Sequence, residues 1–291
     1  MPILIEAAAA ALAAGALLHA YFYAPLLFWP LASLLLSSVV LAAYSPLAVS
    51  RRMTFLAHAQ GHSILTAALA AAVPTALLGQ TPASPAFYLF TVLFVMLLNF
   101  AVLATERLGY RKDVATGVVM SFQLTAAIAL LYLIRKLYAT TLDPLALITG
   151  EYVLIGPGDL QTQLPMLAAA LVFPALYGTR YLYAAVDELF AESIGMKTRR
   201  LDHLFLTSMS LAVSATVYTL GSLMPAVLLV LPGAIAARYS NKLTEQIPLA
   251  VSLAVAAAAA AHFIYTAVPW LWPSAALGAV MLALLLAKRY K

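Results

Sequence analysis

The sequence predicts an all-α polytopic membrane protein of about 8–10 transmembrane helices. Three observations predict it: very few charges, long unbroken apolar runs, and basic residues gathered on alternate connections. Of 291 residues, 64% are hydrophobic and 9% charged, whereas soluble domains carry about 25% charged residues. A spanning helix takes roughly 20 mainly apolar residues, so the chain has room for many. Backbone in lipid must satisfy its own hydrogen bonds, which leaves helices or a closed barrel. Barrel strands alternate apolar and polar residues; the continuous runs here do not, so helices are expected.

Ten segments follow in order: 3–22, 27–48, 58–79, 86–105, 114–137, 163–183, 203–220, 222–237, 247–266 and 270–287. The first is alanine-rich and carries Glu6 and His19; no Lys or Arg precedes Arg51. A secretory signal opens with a positive region, so this stretch is expected to be a retained span. Pro46 falls inside the second segment. The eighth is enclosed by Gly221 and Gly233 and carries Pro225 and Pro232. Irregular backbone at membrane depth is tolerated only against protein or a watery cavity. A broken or re-entrant helix is therefore expected near 221–236, with Gly221, Met224, Pro225 and Pro232 lining a pathway. Residues 1–291 are read as one transmembrane domain.

Charge placement gives the orientation. With the N-terminus inside, the inner connections hold Arg51, Arg52, Arg107, Arg111, Lys112, Arg180, Lys197, Arg199, Arg200, Arg238, Lys242, Lys288, Arg289 and Lys291. That is 14 of 16 basic residues, with only Arg135 and Lys136 outside. The positive-inside rule expects this asymmetry, so both termini are expected in the cytoplasm, in a plasma membrane. The net charge of +5 is thus a topology signal, and no nucleic-acid partner is expected. The absence of cysteine excludes disulfides and thiolate metal sites.

Two regions lie between spans. Residues 138–162 form an outer loop in which Glu151 and Asp159 could meet a receptor, though a solvated loop is the default. Residues 184–202 form the most polar inner segment. There Val186, Leu189, Phe190 and Ile194 recur at helical spacing, with Asp187, Glu188 and Glu192 between them and Gly195 at the end. This reads as a short amphipathic helix with a glycine C-cap. Its acidity disfavours anionic lipid, so a protein groove is the better partner.

His58 and His62 stand four apart, so a helix puts both on one face. Two imidazoles at that spacing form a half-site for zinc, and ionisable residues inside a bilayer commonly face a pathway. The competing reading is cross-helix hydrogen bonding or a headgroup position. Gln60 lies off this face; Met120, Ser121, Gln123 and Met224 are possible wall residues. His19 and His262 are each expected to be isolated structural histidines.

Five motifs in order now carry a resemblance. Residues 51–63, from Arg51-Arg52-Met53 through His58 to His62-Ser63, are similar to "RRM-x-FLGDALSHS". Residues 106–117 resemble a cytoplasmic turn ending in "D-x-AIGI", and 150–160 resemble an outer loop. Residues 186–201 are similar to "FDPELARALGLPVRLLD", and 220–234 to "VGxLLVxALLIxPAA". Over about 28–245 the chain thus resembles the permease subunits of zinc and manganese ABC importers, with 3–22 as an extra helix. The resemblance implies a pair of permeases, cytoplasmic ATP-binding cassette subunits that bind the ATP, and an extracytoplasmic metal-binding receptor. It makes 187–200 the coupling helix, with Asp187, Glu188, Leu189, Phe190, Ile194 and Gly195 docking on the ATPase. It also implies that the pair at His58 and His62 holds metal in transit. The family has aspartate where this chain has His58. Losing that hard, charged oxygen tilts the site toward zinc, copper(II) or nickel and away from manganese, or marks a non-metal substrate.

No catalytic set is visible. Residues 195–198 lack the glycines of a phosphate loop, so the chain is expected to be a transport subunit and not an enzyme. The alternatives are a permease for a metal chelate, an intramembrane metalloenzyme using the two histidines, and a secondary transporter. The last would show inverted repeats and buried carboxylates, and Glu6 is the only acid well inside a segment.

Overall fold

In a computed structural model, residues 2–81, 84–137, 144–150 and 152–287 are described. Asp143, Glu151, Lys288, Arg289 and Lys291 lie outside these residues. The described chain is helical almost throughout. Its order is α1 (Pro2–Tyr23), α2 (Phe28–Ser50), α3 (Thr54–Leu77), α4 (Pro85–Arg107), α5 (Lys112–Leu137), a short α6 (Pro144–Thr149), α7 (Pro157–Val186), a short α8 (Glu188–Ser193), α9 (Thr198–Leu220), α10 (Leu223–Tyr239), α11 (Leu243–Ala267) and α12 (Pro273–Ala287). Each expected segment corresponds to one long helix.

The largest shifts are at polar ends. Helices α3, α7 and α9 begin at Thr54, Pro157 and Thr198, several residues before the apolar stretches. Hydropathy marks the part of a helix that suits lipid, while backbone hydrogen bonding continues into polar turns. Six helices are long and apolar enough to cross a membrane by themselves, and α3 and α9 are not among them. Both pack within the bundle against neighbouring helices, where polar residues find protein partners.

The bundle is apolar outside as well as inside. Leu89, Leu93, Leu97 and Phe100 are each over half exposed and lie along one stripe of α4; Val118, Phe122, Ile128 and Tyr132 do the same on α5. Such stripes suit lipid. Polar side chains turn inward and bond one another, as a waterless surround demands. Gln163 accepts from the Ser33 hydroxyl (2.6 Å) and donates to Ser37, Thr219 and the Ala215 carbonyl. Gln60 donates to Asn99 (2.8 Å), which donates to Ser210 (2.6 Å). Helix α2 is central, packed on α7, α9, α10 and α11, while α1 lies against α11 and α2.

The ends of the bundle are distinct. At one, Arg51, Lys112, Asp202 and Glu188 join α2, α5, α9 and α8. At the other, the Trp272 indole donates to the Thr149 carbonyl (3.1 Å). Here too α9 breaks before α10. Gly221 has φ +68 and packs so tightly on Ile148 and Gly150 that a Cβ would collide with their backbones. Only glycine combines that conformation with that contact. The adjacent Ser222 N–H donates to the Leu147 carbonyl (3.0 Å). Beyond the break, α10 is one 17-residue helix that continues through Pro225 and Pro232. The Gly233 N–H beside the second proline donates to Ser45 Oγ (2.8 Å).

Candidate functional site

His58 and His62 occupy the second and third turns of α3, close to the Arg51 end. Between them Gly61 lets α3 lie almost on α10: a Cβ there would come within 2.7 Å of the Ser222 carbonyl oxygen and 3.3 Å of Ala226 Cβ. This close approach turns both histidines along the α10 surface. Their ring centroids are 5.9 Å apart at 73°. They open onto a cavity of about 410 Å³ whose other wall is Ser222, Leu223, Ala226, Val227, Val230 and Leu231.

Neither imidazole makes a side-chain hydrogen bond among the described residues. The cross-helix bond that a packing role would use is therefore missing there, and the ring nitrogens are available to a guest. Their neighbour Gln60 faces away and is wholly buried against Asn99. Gln123 is engaged with Ser63 (3.0 Å), and the Ser121 hydroxyl donates to the Gly117 carbonyl. Neither they nor Met120 lines this cavity. Met224, Pro225 and Pro232 are buried in the α10 packing, Gly221 sits in the break, and the cavity wall is drawn from intervening α10 residues. Among the described residues no group of three or more His, Cys, Asp or Glu side chains converges. One chain thus contributes two imidazoles, half the tetrahedral set that zinc prefers.

The segment after α7 forms a short helix, Glu188–Ser193, later than its spacing predicts, since Val186 closes α7. The Asp187 carboxylate accepts from the Phe190 N–H (2.8 Å) and caps α8. The helix stops at Gly195, which has φ +88. Ala191 is its buried contact, and Glu192 accepts from the Thr198 hydroxyl (2.5 Å). Leu189, Phe190 and Ile194 are left 81%, 61% and 59% exposed, an apolar knob at the basic end of the bundle.

Asp202 was not singled out by sequence reasoning, yet it is the hub of that end. The Arg51 guanidinium, 6% exposed, donates to both Asp202 oxygens (2.9 Å each) and to Glu188 Oε1 (3.1 Å). The Tyr181 hydroxyl donates to Asp202 (2.7 Å), and the Tyr181 ring lies under the guanidinium at 5.3 Å. Burial by itself would lower the Arg51 pKa; the Asp202 carboxylate more than offsets this, and the net shift is upward. Arg52 takes a left-handed φ of 55 in the turn that leads into α3. One arginine thus joins α8 to the turn that carries the histidine helix. An acid among so many basic residues is the only trace of this in the sequence.

The reading of His19 and His262 as isolated is corrected. His19 Nδ1 lies 3.3 Å from His262 Nε2, across the α1–α11 contact. The residues are 243 apart in sequence, so no local pattern could pair them.

A sequence model described as the ABC 3 transport family matches residues 24–288. The chain is 28% identical over 189 residues to the "Probable metal transport system membrane protein" of Thermotoga maritima, covering 65% of this chain and 63% of that one. It is 23% identical over 180 residues to the manganese transport system membrane protein MntC of Listeria innocua, covering 59% and 63%. The chain thus spans just under two thirds of the length of these relatives. Among solved structures it is similar to PsaBC from Streptococcus pneumoniae in complex with Fab, with a TM-score of 0.77 over 94% of each chain and 19% identity. At that identity the likeness bears on the fold.

Proposed function

The chain belongs to the ABC 3 transport family, and from that premise we propose that it is the multi-pass permease subunit of an ATP-driven importer for a divalent transition metal ion, taking zinc in preference to manganese. The observation that carries this is the pair His58 and His62, set on one face of α3 over an open cavity, neither ring making a side-chain hydrogen bond among the described residues. Imidazole suits zinc and the later first-row metals, whereas manganese favours carboxylate and carbonyl oxygen.

The face that bears the pair also exposes Phe55 and Leu223. A second copy laid on it by two-fold symmetry would supply two more imidazoles and cover this apolar surface. The Arg51 end, rich in Lys and Arg, is placed in the cytoplasm of the cell membrane by the positive-inside rule. There the knob of Leu189, Phe190 and Ile194 docks into an ATP-binding subunit. A receptor on the opposite side delivers the metal. Closure of the ATP-binding subunits reaches the α2–α3 turn through Glu188 and Arg51, and α3 alternates the access of its histidines.

A specific observation favours a second reading. The cavity, at about 410 Å³ and with apolar α10 side chains on its far wall, is larger than a bare ion needs and could hold a metal chelate. The test is uptake of radioactive zinc into proteoliposomes that contain this chain with its ATP-binding subunit and receptor. His58→Ala and His62→Ala run beside wild type. Uptake of the free ion that both variants lose while still assembled supports the ion reading. Uptake of the chelate only, untouched by the two substitutions, favours the second.

A further inference from the structure

Helix α1 precedes the stretch that matches the family, which begins at residue 24. Its last turns nevertheless build a histidine pair with α11. His262 is wholly buried. Among the described residues its Nε2 bonds only His19 Nδ1, and its Nδ1 has no hydrogen-bond partner. The rings cross at 74° with centroids 5.4 Å apart. Tyr23 stacks on His19 at 5.6 Å, and Phe263 packs against both imidazoles. Aromatic contacts thus hold the two rings in place, with their facing nitrogens free of any other bond.

The separation of those nitrogens is informative. Protein hydrogen bonds from N–H cluster at roughly 2.7–3.2 Å. Two imidazole nitrogens each about 2.0–2.1 Å from a tetrahedral zinc ion lie about 3.3–3.4 Å apart. The observed 3.3 Å, toward the long limit for a hydrogen bond between the two rings, also matches the spacing of two zinc-bound imidazole nitrogens. His19 also lines a cavity of about 600 Å³ with Tyr23, Tyr265 and Thr266. Among the described residues no Lys or Arg lines it, so none of them sets a fixed cation against a metal. The cavity is at the end of the bundle opposite the Arg51 network, beside Tyr265, which packs on Trp272.

We infer that His19 and His262 form a second divalent-cation site, of zinc-like preference, which α1 completes by docking on α11. Of the two protein ligands His19 faces the cavity and His262 lies buried behind it, so an ion bound there is taken up and released from the cavity side. The inference stands apart from the transport reading, because it concerns binding by the single chain.

The test uses the full-length chain in detergent with His58→Ala and His62→Ala, which removes the other histidine pair. Zinc is titrated against a chromogenic chelator, and the zinc-loaded protein is examined by X-ray absorption. One equivalent per chain with two imidazole scatterers is expected. His19→Ala should weaken it by more than the roughly 10- to 100-fold that loss of an outer-shell partner costs. His19 is only partly buried, so this variant should keep its helical circular dichroism and decides the matter even if His262→Gln fails to fold. The inference is overturned if the parent binds no zinc, if His19→Ala binds as tightly, or if the spectrum shows no imidazole.

Discussion

At the scale of single residues, the chemistry turns on what replaces what. With imidazole at both positions of α3, the proposed site lacks a hard oxygen donor. His58→Asp should therefore move the zinc-to-manganese uptake ratio toward manganese by about tenfold, some 1.4 kcal/mol, in a competition assay. An unchanged ratio would mean that residue 58 does not touch the cargo. Asp202 makes a different demand. It is the counter-charge of a guanidinium that is 6% exposed, and removing one partner of a buried pair costs roughly 3–5 kcal/mol. Asp202→Asn should lower the melting temperature in detergent far more than Asp113→Asn, whose carboxylate faces solvent with Arg111. Equal melting temperatures would show that the Arg51 network contributes little.

At the scale of elements, two contacts organise the motion proposed for transport. The first is α3 on α10, which depends on the missing side chain of Gly61. Gly61→Val has no space beside the Ser222 carbonyl and should separate the helices, abolishing uptake while α8 still binds the ATP-binding subunit; full uptake would refute the close approach as a requirement. The second is the proposed docking of α8 on an ATP-binding subunit. An exposed apolar knob on a six-residue helix is unfavourable in water unless it is covered. Glu188→Arg removes the tie to Arg51 and sets two cations together. It should leave metal binding intact and uncouple ATP hydrolysis from uptake, which paired hydrolysis and uptake rates in the same vesicles would reveal.

At the scale of the molecule, the two imidazoles of the proposed site and the apolar α3–α10 face both suit the proposed second copy. The chain contains no cysteine, so one introduced residue reports cleanly. Leu223→Cys, exposed on that face, should form a disulfide-linked dimer in membranes on mild oxidation, whereas Leu93→Cys on the lipid stripe of α4 should not. Reversal of that pattern would place the interface on α4. The same picture explains why lipid-facing leucines and buried glutamines coexist: with no water at membrane depth, apolar side chains are free to face outward and polar ones must find one another.

The helical class, the position of the long helices and the basic end were legible from composition and spacing, since lipid imposes a length on every span and charge resists crossing. The pairing of His58 with His62 was legible for the same reason as any local feature, because residues four apart share a helix face. The turn at Gly195 followed from its residue type, whereas Asp187, read as lying within the helix, caps it. Tertiary structure decided the rest. It set which α10 residues face the histidines, because the depth of packing at Gly61 is a property of two helices. It made Asp202 a hub and brought His19 to His262, because partners 151 and 243 residues apart leave no periodic trace. A pattern along one chain reports what neighbours in sequence share; a site built across helices exists only once they have packed.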